Sequence, residues 1–461
     1  MTRLLDTGRM FTLRMRGRYD ALNKNMSSID KLKRLTGEKT TKPTAPAAKQ
    51  AQIDELRRRM DMILSRRPQT QTPAPKEQLW GETIALEKIV RGEEVENKHG
   101  RFFLVSDIMA GNCRHGKRNI CETLNLDMHA AGLLAGDNTL SNCRCEEGLF
   151  LDTETTGLSG GTGTLAFLIG LGWFEEGAFH IRQIFARDFS EERAALFYLA
   201  QIAAQKNFLV TFNGKAFDVN LLNARFILNR LKSDMASLPH LDLLHPSRRI
   251  LGHRLENSRL GTLETEVLGV FREGDIPGWE IPQRYFDWLK NRDGRLLEAI
   301  FEHNKLDVIS MATLTAHLTE ILCAKQELQN SHADDYLAAA RLLFKRRDTG
   351  RAGKILDVFN GNPAGSELSA ISKKELASLC KRTGRWEEAT QIWQELLTIT
   401  PVDFSAVSEM AKWLEHRARD YHAAKILVEG ALSQNNGFSP DEKESLAHRL
   451  KRLKIKTQKT R

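Results

Sequence analysis

Three apolar segments that follow one another between residues 149 and 187 constrain the fold of this chain more than any other feature. They read LFLDTET, TLAFLIGLGWF and AFHIRQIFAR, and apolar runs of this length predict β-strands, the first two in a buried sheet. The segment SEERAALFYLAQIAAQ then predicts a helix that begins at Ser190. A strand NFLVTFN, a helix DVNLLNARFILNRL and a late helix around LLEAIFEHNKLDVISMATLTAHL follow. This order of elements predicts an α/β domain.

The composition changes on both sides of this domain, which we place at residues 148–325. Residues 1–77 are basic and rich in Thr, Pro, Ala and Gln, which predicts a largely disordered N-terminal region. Residues 78–147 alternate short apolar segments with Gly and Asn, as a small α+β lead-in module would. Residues 332–450 read as successive helices, and residues 451–461 form a basic tail.

A repeat of about 34 residues runs through the C-terminal helices. TGRAGKIL near Gly350 and TGRWEEATQIW near Gly384 are two copies, and a weaker third copy lies around Tyr421 and Ala423. The period is that of the tetratricopeptide repeat, whose helix pairs stack into a solenoid. The alternative is an ordinary set of antiparallel helices. In the second copy, the turn, packing and stop positions of the repeat are taken by Gly384, Trp386, Ala389, Trp393 and Pro401.

The composition indicates which class of partner and which cellular compartment to expect. The 461 residues include 68 Lys and Arg against 59 Asp and Glu, a formal net charge of +9. This excess suits a nucleic-acid partner, although charge in flexible ends can also serve solubility alone. Six cysteines in a chain of this length do not suggest a disulfide framework, so we expect a reducing, cytoplasmic setting. Because no apolar stretch reaches the roughly 18 residues of a membrane span, no membrane partner is expected.

Three short acidic motifs carry the chemistry. Asp152 and Glu154 follow the first apolar strand, and the two-residue period of a strand places them on one face. Asp218 begins the helix after the strand NFLVTFN, where it serves as either a cap or a ligand. His303 and Asp307 are four residues apart, so they share one face of a helix. Each motif alone has a structural explanation as a turn, a cap or a surface pair.

Together the motifs predict a metal-dependent hydrolase. Four carboxylates and one histidine are the side chains needed for two-metal phosphodiester hydrolysis. In that reaction two cations activate water and hold the attacking and leaving oxygens. Oxygen ligands favour Mg²⁺ or Mn²⁺. His303 can take the proton of the attacking water as a general base.

The three motifs resemble those of the DEDD superfamily of exonucleases. They are Asp152-x-Glu154, Asn213-x-x-x-Phe217-Asp218 and His303-x-x-x-Asp307. The wider sequence, including HLDLLHPSRR, LGVFREGDIPGWEIP and FEHNKLDVISM, resembles bacterial YprB-type ribonuclease H-like proteins with a tetratricopeptide tail.

The resemblance implies a ribonuclease H-like domain with a mixed five-stranded sheet and flanking helices, followed by an all-α tetratricopeptide-like domain. It further implies 3′-to-5′ exonuclease activity on DNA or RNA, with a single-stranded end as substrate and a protein partner on the repeats. The resemblance implies that the metal ions are bound by Asp152, Glu154, Asp218 and Asp307. It also implies that His303 activates water. The sequence departs from the family pattern in one respect. Three residues separate His303 from Asp307, and this is the spacing of the subgroup that has tyrosine in place of the histidine.

Further residues are candidates for substrate contacts. Thr155, Asn213 and Lys215 lie beside the motif carboxylates, and Trp279 could either stack a base or pack an insertion against the core. Asp242 is either an auxiliary ligand or a loop cap. The alternative function for the whole chain is a nucleic-acid-binding scaffold that recruits a protein through its helical repeats.

Overall fold

A mixed sheet of seven strands forms the centre of this protein. The computed structural model describes residues 82–157, 163–324, 332–359, 368–434 and 437–459, so the predicted N-terminal region 1–77 lies outside the described residues. The order along the sheet is β1-β2-β7-β6-β5-β8-β9, and β3 and β4 form a separate hairpin. The strands are β1 (Glu93–Asn97), β2 (Gly100–Met109), β3 (Arg114–His115), β4 (Arg118–Asn119), β5 (Gly148–Thr155), β6 (Ala166–Glu175), β7 (Ala178–Phe185), β8 (Phe208–Thr211) and β9 (His240–Asp242).

The sheet has two strands more than expected, and the prediction of five is wrong in this respect. The five strands β5 to β9 belong to the predicted α/β domain, but β1 and β2 come from the lead-in residues. Strand β2 pairs antiparallel with β7, with Val105 opposite Gln183, and β1 pairs with β2. Strand β2 buries Phe102, Phe103 and Leu104 in succession, so both of its faces are covered, as in the interior of a sheet.

Helices cover both faces of the sheet. The helices of this part are α1 (Met128–Ala135), α2 (Glu192–Ala203), α3 (Asp218–Leu228), α4 (Leu244–Ile250), α5 (Leu260–Leu263), α6 (Ile281–Asn291) and α7 (Glu298–Cys323). Leu149 and Leu151 of β5 pack in one core cluster with α2 and α3, while Phe150 packs in another with α7. The strands and helices predicted for this domain are therefore present.

Helix α7 is the central helix of the protein. Residues Gly294–Cys323 are long and apolar enough to cross a membrane by length and composition, but 72% of their most apolar window is buried inside the protein. A helix that is apolar on nearly all sides fits the core of a large domain. Here it packs against the sheet on one side and against the C-terminal helices on the other.

The chain ends in a helical region. Its helices are α8 (Ala333–Lys345), α9 (Thr349–Asp357), α10 (Ala370–Arg382), α11 (Trp386–Leu397), α12 (Phe404–Trp413), α13 (Tyr421–Ser433) and α14 (Pro440–Lys459). One apolar core runs without a break from the sheet through α7 and α8 to α12, and Arg254 forms an ion pair with buried Asp335 of α8. The all-α character is confirmed, and the tetratricopeptide assignment stays a prediction.

The topology of the sheet creates an opening beside β5. Strand β5 pairs antiparallel with β6 from Phe150 to Thr155, but its parallel pairing with β8 ends at Phe150. Asp152 and Glu154 lie beyond that point, where the two strands separate. In α/β sheets, ligands bind in the crevice beyond the carboxyl ends of the strands, where the connections change direction. The acidic motifs lie in this crevice.

Candidate active site

The two carboxylates of β5 both face helix α7. Asn304 donates a hydrogen bond from Nδ2 to Oδ2 of Asp152 at 2.8 Å, and Nε2 of His303 lies 3.9 Å from Oε1 of Glu154. Thr153, between them, points to the opposite side and donates a hydrogen bond to Asp218. The alternation of the strand therefore places both acids on one face, as its period requires.

Asp218 is the first residue of α3, and the turn before it is held by Asp242. The carboxylate of Asp242 accepts hydrogen bonds from the backbone N–H groups of Asn213 at 2.8 Å, Lys215 at 3.1 Å and Leu244 at 3.1 Å. Asn213 has a φ of 68°, a left-handed conformation that asparagine tolerates better than most residues. Both oxygens of Asp242 are used in this way, so its role is that of a turn anchor.

Helix α7 supplies the remaining predicted residues. Its side chains His303 and Asp307 lie one turn apart, with Nε2 of His303 3.8 Å from Oδ2 of Asp307. The other ring nitrogen, Nδ1, is 2.7 Å from Oδ1 of Asp275. This second carboxylate fixes the orientation of the imidazole, so that Nε2 faces the acidic residues.

Burial and mutual repulsion raise the pKa values of these acids. Burial raises the pKa of Asp152 well above its ordinary value of 3.8, and the charges of Asp307 and Asp218 raise it further. The pKa of Glu154 rises for the same reasons, with Asp152 as its strongest charged neighbour. Burial is also the main cause that raises the pKa of Asp218 to about 6. Such a cluster is fully ionised at neutral pH only when cations balance it.

Arg272 supplies one such cation, and it is not among the site residues predicted from the sequence. Its Nη2 donates hydrogen bonds to both Asp307 and the buried Glu264. Ser310 of α7 also donates a hydrogen bond to Glu264. Arg272 and Asp275 lie within the segment LGVFREGDIPGWEIP, which has no helical or strand period. The sequence offered no local signal for this contact, because Arg272 and Asp307 are 35 residues apart.

The donor set suits a hard divalent cation. Within the described parts of the chain, no group of three or more His, Cys, Asp and Glu side chains already stands in a metal-binding arrangement. Asp307 is bonded to Arg272 and Asp218 to Thr153, so these acids would have to exchange partners. The oxygen-only set of half-buried carboxylates nevertheless matches Mg²⁺ or Mn²⁺. Burial and the neighbouring charges raise the pKa values of Asp152, Glu154 and Asp218, and a bound cation would oppose this rise.

The candidate substrate residues have different surroundings in the structure. Thr155 donates a hydrogen bond to the carbonyl of Gly157, and the side chain of Lys215 is exposed. The indole of Trp279 is 68% exposed, which excludes the alternative that it packs the insertion against the core. A cleft of about 980 Å³ adjoins the cluster at Arg272, Asp275 and His303. The cleft therefore reaches His303, while the four motif carboxylates are not among the residues that line it.

Comparisons with known proteins agree with this architecture. A family profile described as RNase_H superfamily matches residues 149–319, the segment from β5 to α7. The uncharacterized protein YprB of Bacillus subtilis (strain 168) is 33% identical over 313 residues, which cover 67% of this chain and 74% of YprB. The chain therefore belongs to the ribonuclease H superfamily, in the family that includes YprB.

Proposed function

We propose that this protein is a 3′-to-5′ exonuclease of the DEDD type that hydrolyses phosphodiester bonds with two divalent cations. Membership of the ribonuclease H superfamily suggests a nuclease. The observation that carries the finer proposal is the group of carboxylates formed by Asp152, Glu154, Asp218 and Asp307. Burial raises the pKa values of the first three, and the charge of Asp307 raises each of them further. Burial of several acids together is costly, and a metal site explains why the chain tolerates it.

In this proposal, the carboxylates of Asp152, Glu154, Asp218 and Asp307 hold Mg²⁺ or Mn²⁺. When bound, the cations supply positive charge that acidifies the attacking water and offsets the charge of the displacement. His303 accepts the proton of that water at Nε2, and Asp275 stabilises the resulting imidazolium through Nδ1. Asn304 orients Asp152 through its hydrogen bond.

The substrate is proposed to be a single-stranded end of DNA or RNA. The net charge of +9 favours a polyanion. The side chains of Lys215, three residues before Asp218, and of Trp279, four residues after Asp275, are exposed. Aromatic faces stack unpaired bases without regard to sequence. Trp279 and Lys215 are therefore the first residues to substitute for binding defects.

The C-terminal helices are proposed to be tetratricopeptide-like repeats that bind a protein partner. The second helices of three successive pairs begin at Thr349, Trp386 and Tyr421, at spacings of 37 and 35 residues, which are close to the period of this repeat. Gly384, in the turn between α10 and α11, has a φ of 78°, which glycine adopts readily.

Digestion of end-labelled single- and double-stranded DNA and RNA tests the enzyme. Wild type and Asp152→Asn are compared with Mg²⁺, Mn²⁺ or EDTA. Shortening from the 3′ end that needs a cation and is lost in the variant supports the proposal. Binding of any of these polymers without cleavage favours the scaffold that recruits a partner through its helices.

A further inference from the structure

Arg272 reaches the acidic cluster from an exposed loop. Phe271, its neighbour in the chain, has 77% of its surface exposed, and Gly269 and Gly274 on either side adopt left-handed φ values of 69°. The side chain of Arg272 itself is only 8% exposed. The loop thus inserts one guanidinium into the site.

The position of this guanidinium is set by the carboxylates. Nη2 contacts both Glu264 and Asp307, and Nη1 lies 3.6 Å from Oδ2 of Asp275. By contrast, Nε is buried and has no hydrogen-bond partner among the residues that the structure describes. A buried donor without a partner carries a free-energy cost. The stabilisation from the contacts of Nη2 with two acids must therefore be larger than this cost.

Glu264 anchors the guanidinium from the other side. Its side chain is 1% exposed, and Ser310 of the rigid helix α7 donates a hydrogen bond to it. Because Ser310 is bonded in turn to His115 at 2.7 Å, Glu264 is fixed within the core. Asp307, at 18% exposure, is the more accessible of the two partners and the one that can exchange.

We propose that Arg272 is the resident counterion of the metal-free active site, which occupies Asp307 and must release it when a divalent cation binds. This inference rests on the metal site of the proposed function. Anchored by Glu264, the guanidinium stays beside the cluster and opposes the entry of further positive charge. Removing it should therefore tighten cation binding by about tenfold or more, as expected for one unit charge a few ångströms away.

The test is to measure Mn²⁺ binding to the full chain without substrate. The electron paramagnetic resonance signal of free Mn²⁺ reports how much of the ion remains unbound. Arg272→Met should lower the dissociation constant at least about tenfold. Arg272→Lys keeps the charge and should stay near the wild-type value. Arg284→Met removes another ion-paired arginine, whose partner is Glu280, and serves as the matched control with unchanged affinity.

Thermal unfolding supplies a second readout. Without metal, Arg272→Met should unfold at a lower temperature than wild type, and saturating Mn²⁺ should raise that temperature more than in wild type. If the single variant does not fold, the double variant Arg272→Met/Glu264→Gln leaves no buried carboxylate unpaired at position 264. Compared with Glu264→Gln alone, it differs only by the loss of the guanidinium and should show the same tightening of Mn²⁺ binding.

The outcomes separate this inference from the proposed function. Wild-type binding with equal or weaker binding by Arg272→Met overturns the counterion role and leaves the metal site intact. Binding by the variant alone supports the counterion role strongly. Failure of both proteins to bind Mn²⁺ overturns the metal site itself, and the inference with it.

Discussion

The amide of Asn304 donates a hydrogen bond to Asp152 at 2.8 Å, while its oxygen accepts one from Gln183 at 2.9 Å. Only one orientation of the amide satisfies both neighbours, because Gln183 donates and the Asp152 carboxylate accepts. Asn304 is completely buried. It is therefore a positioning residue that fixes the carboxylate of β5 from helix α7.

Gly170→Ala should disturb this contact without removing any polar group. A Cβ at residue 170 would lie 2.3 Å from Oδ1 of Asn304, so the amide must move. We expect hydrolysis to fall about 10- to 100-fold, as for the loss of a hydrogen bond to a charged group. Gly172→Ala is the matched control, since its Cβ would meet Phe179 and Val308 instead. Equal losses of activity per folded molecule in both variants would show that Asn304 is not the cause.

Asp152→Asn should abolish hydrolysis but leave the unfolding temperature in EDTA unchanged or higher. The pKa of Asp152 is raised by burial and by Asp307 and Asp218, so a neutral amide removes a repulsive charge. Calorimetry in EDTA measures the stability. Asp242→Asn provides the contrast, because this carboxylate binds backbone N–H groups of a turn and its loss should lower stability. A large loss of stability in Asp152→Asn would assign Asp152 a structural role.

His303→Ala should lower kcat by about 10²- to 10⁴-fold, the usual contribution of a general base. Mn²⁺ affinity should stay close to that of wild type, because the four carboxylates remain. Single-turnover digestion and metal titration of the same preparation check both values. Asp275→Asn, which keeps the imidazole but weakens its support at Nδ1, should reduce kcat less. Loss of metal binding in His303→Ala would make His303 a ligand.

Glu415→Gln should loosen helix α14 in a pH-dependent way. The side chain of Glu415 is buried and pairs with Arg449 and Arg452, with Lys456 as a third partner. Burial raises its pKa, but hydrogen bonds from Arg452 and Lys456 outweigh burial and lower the pKa to about 2. A pKa below the ordinary value of 4.5 means that this acid stabilises the fold above about pH 4.5. That stability is lost as the pH falls toward 2.

Unfolding by heat at several pH values measures this effect. The difference between wild type and Glu415→Gln should reach up to about 3 kcal/mol at pH 7 and shrink between pH 4.5 and 2. Glu429→Gln is the control, since Glu429 is 39% exposed and its contacts with lysines are 3.5 Å or longer. Exposed pairs contribute little. A difference that does not depend on pH would contradict the assigned role of the Glu415 charge.

The sequence predicted those parts of the fold that depend on local periodicity. Strand β5 and helix α7 are long apolar runs, and their spacing alone placed Asp152 with Glu154 and His303 with Asp307. The lead-in strands were harder to place. An apolar run such as FFLVSDIM indicates a strand, but the edge that it joins depends on contacts with β7, about 80 residues away.

The supporting residues of the site could not be predicted for the same reason. Asn304 stands next to His303 in the sequence, yet its role depends on Gln183 and Asp152, both more than 100 residues away. Arg272 lies in an irregular insertion, and Glu264 begins the short helical segment Glu264–Leu268 before it. A search for polar residues beside the predicted ligands would have found Asn304, but no local pattern indicates the Arg272 contacts.

Strand β1 forms one edge of the sheet, and the side chains of Glu93, Glu94 and Glu96 are exposed along it. Within the described residues, β2 is its sole strand partner. A row of unpaired backbone groups invites another molecule to add a strand, and charged side chains oppose this. If two copies met edge to edge at β1, the glutamates of both would be brought together. The lead-in hairpin therefore protects the sheet from aggregation through this edge.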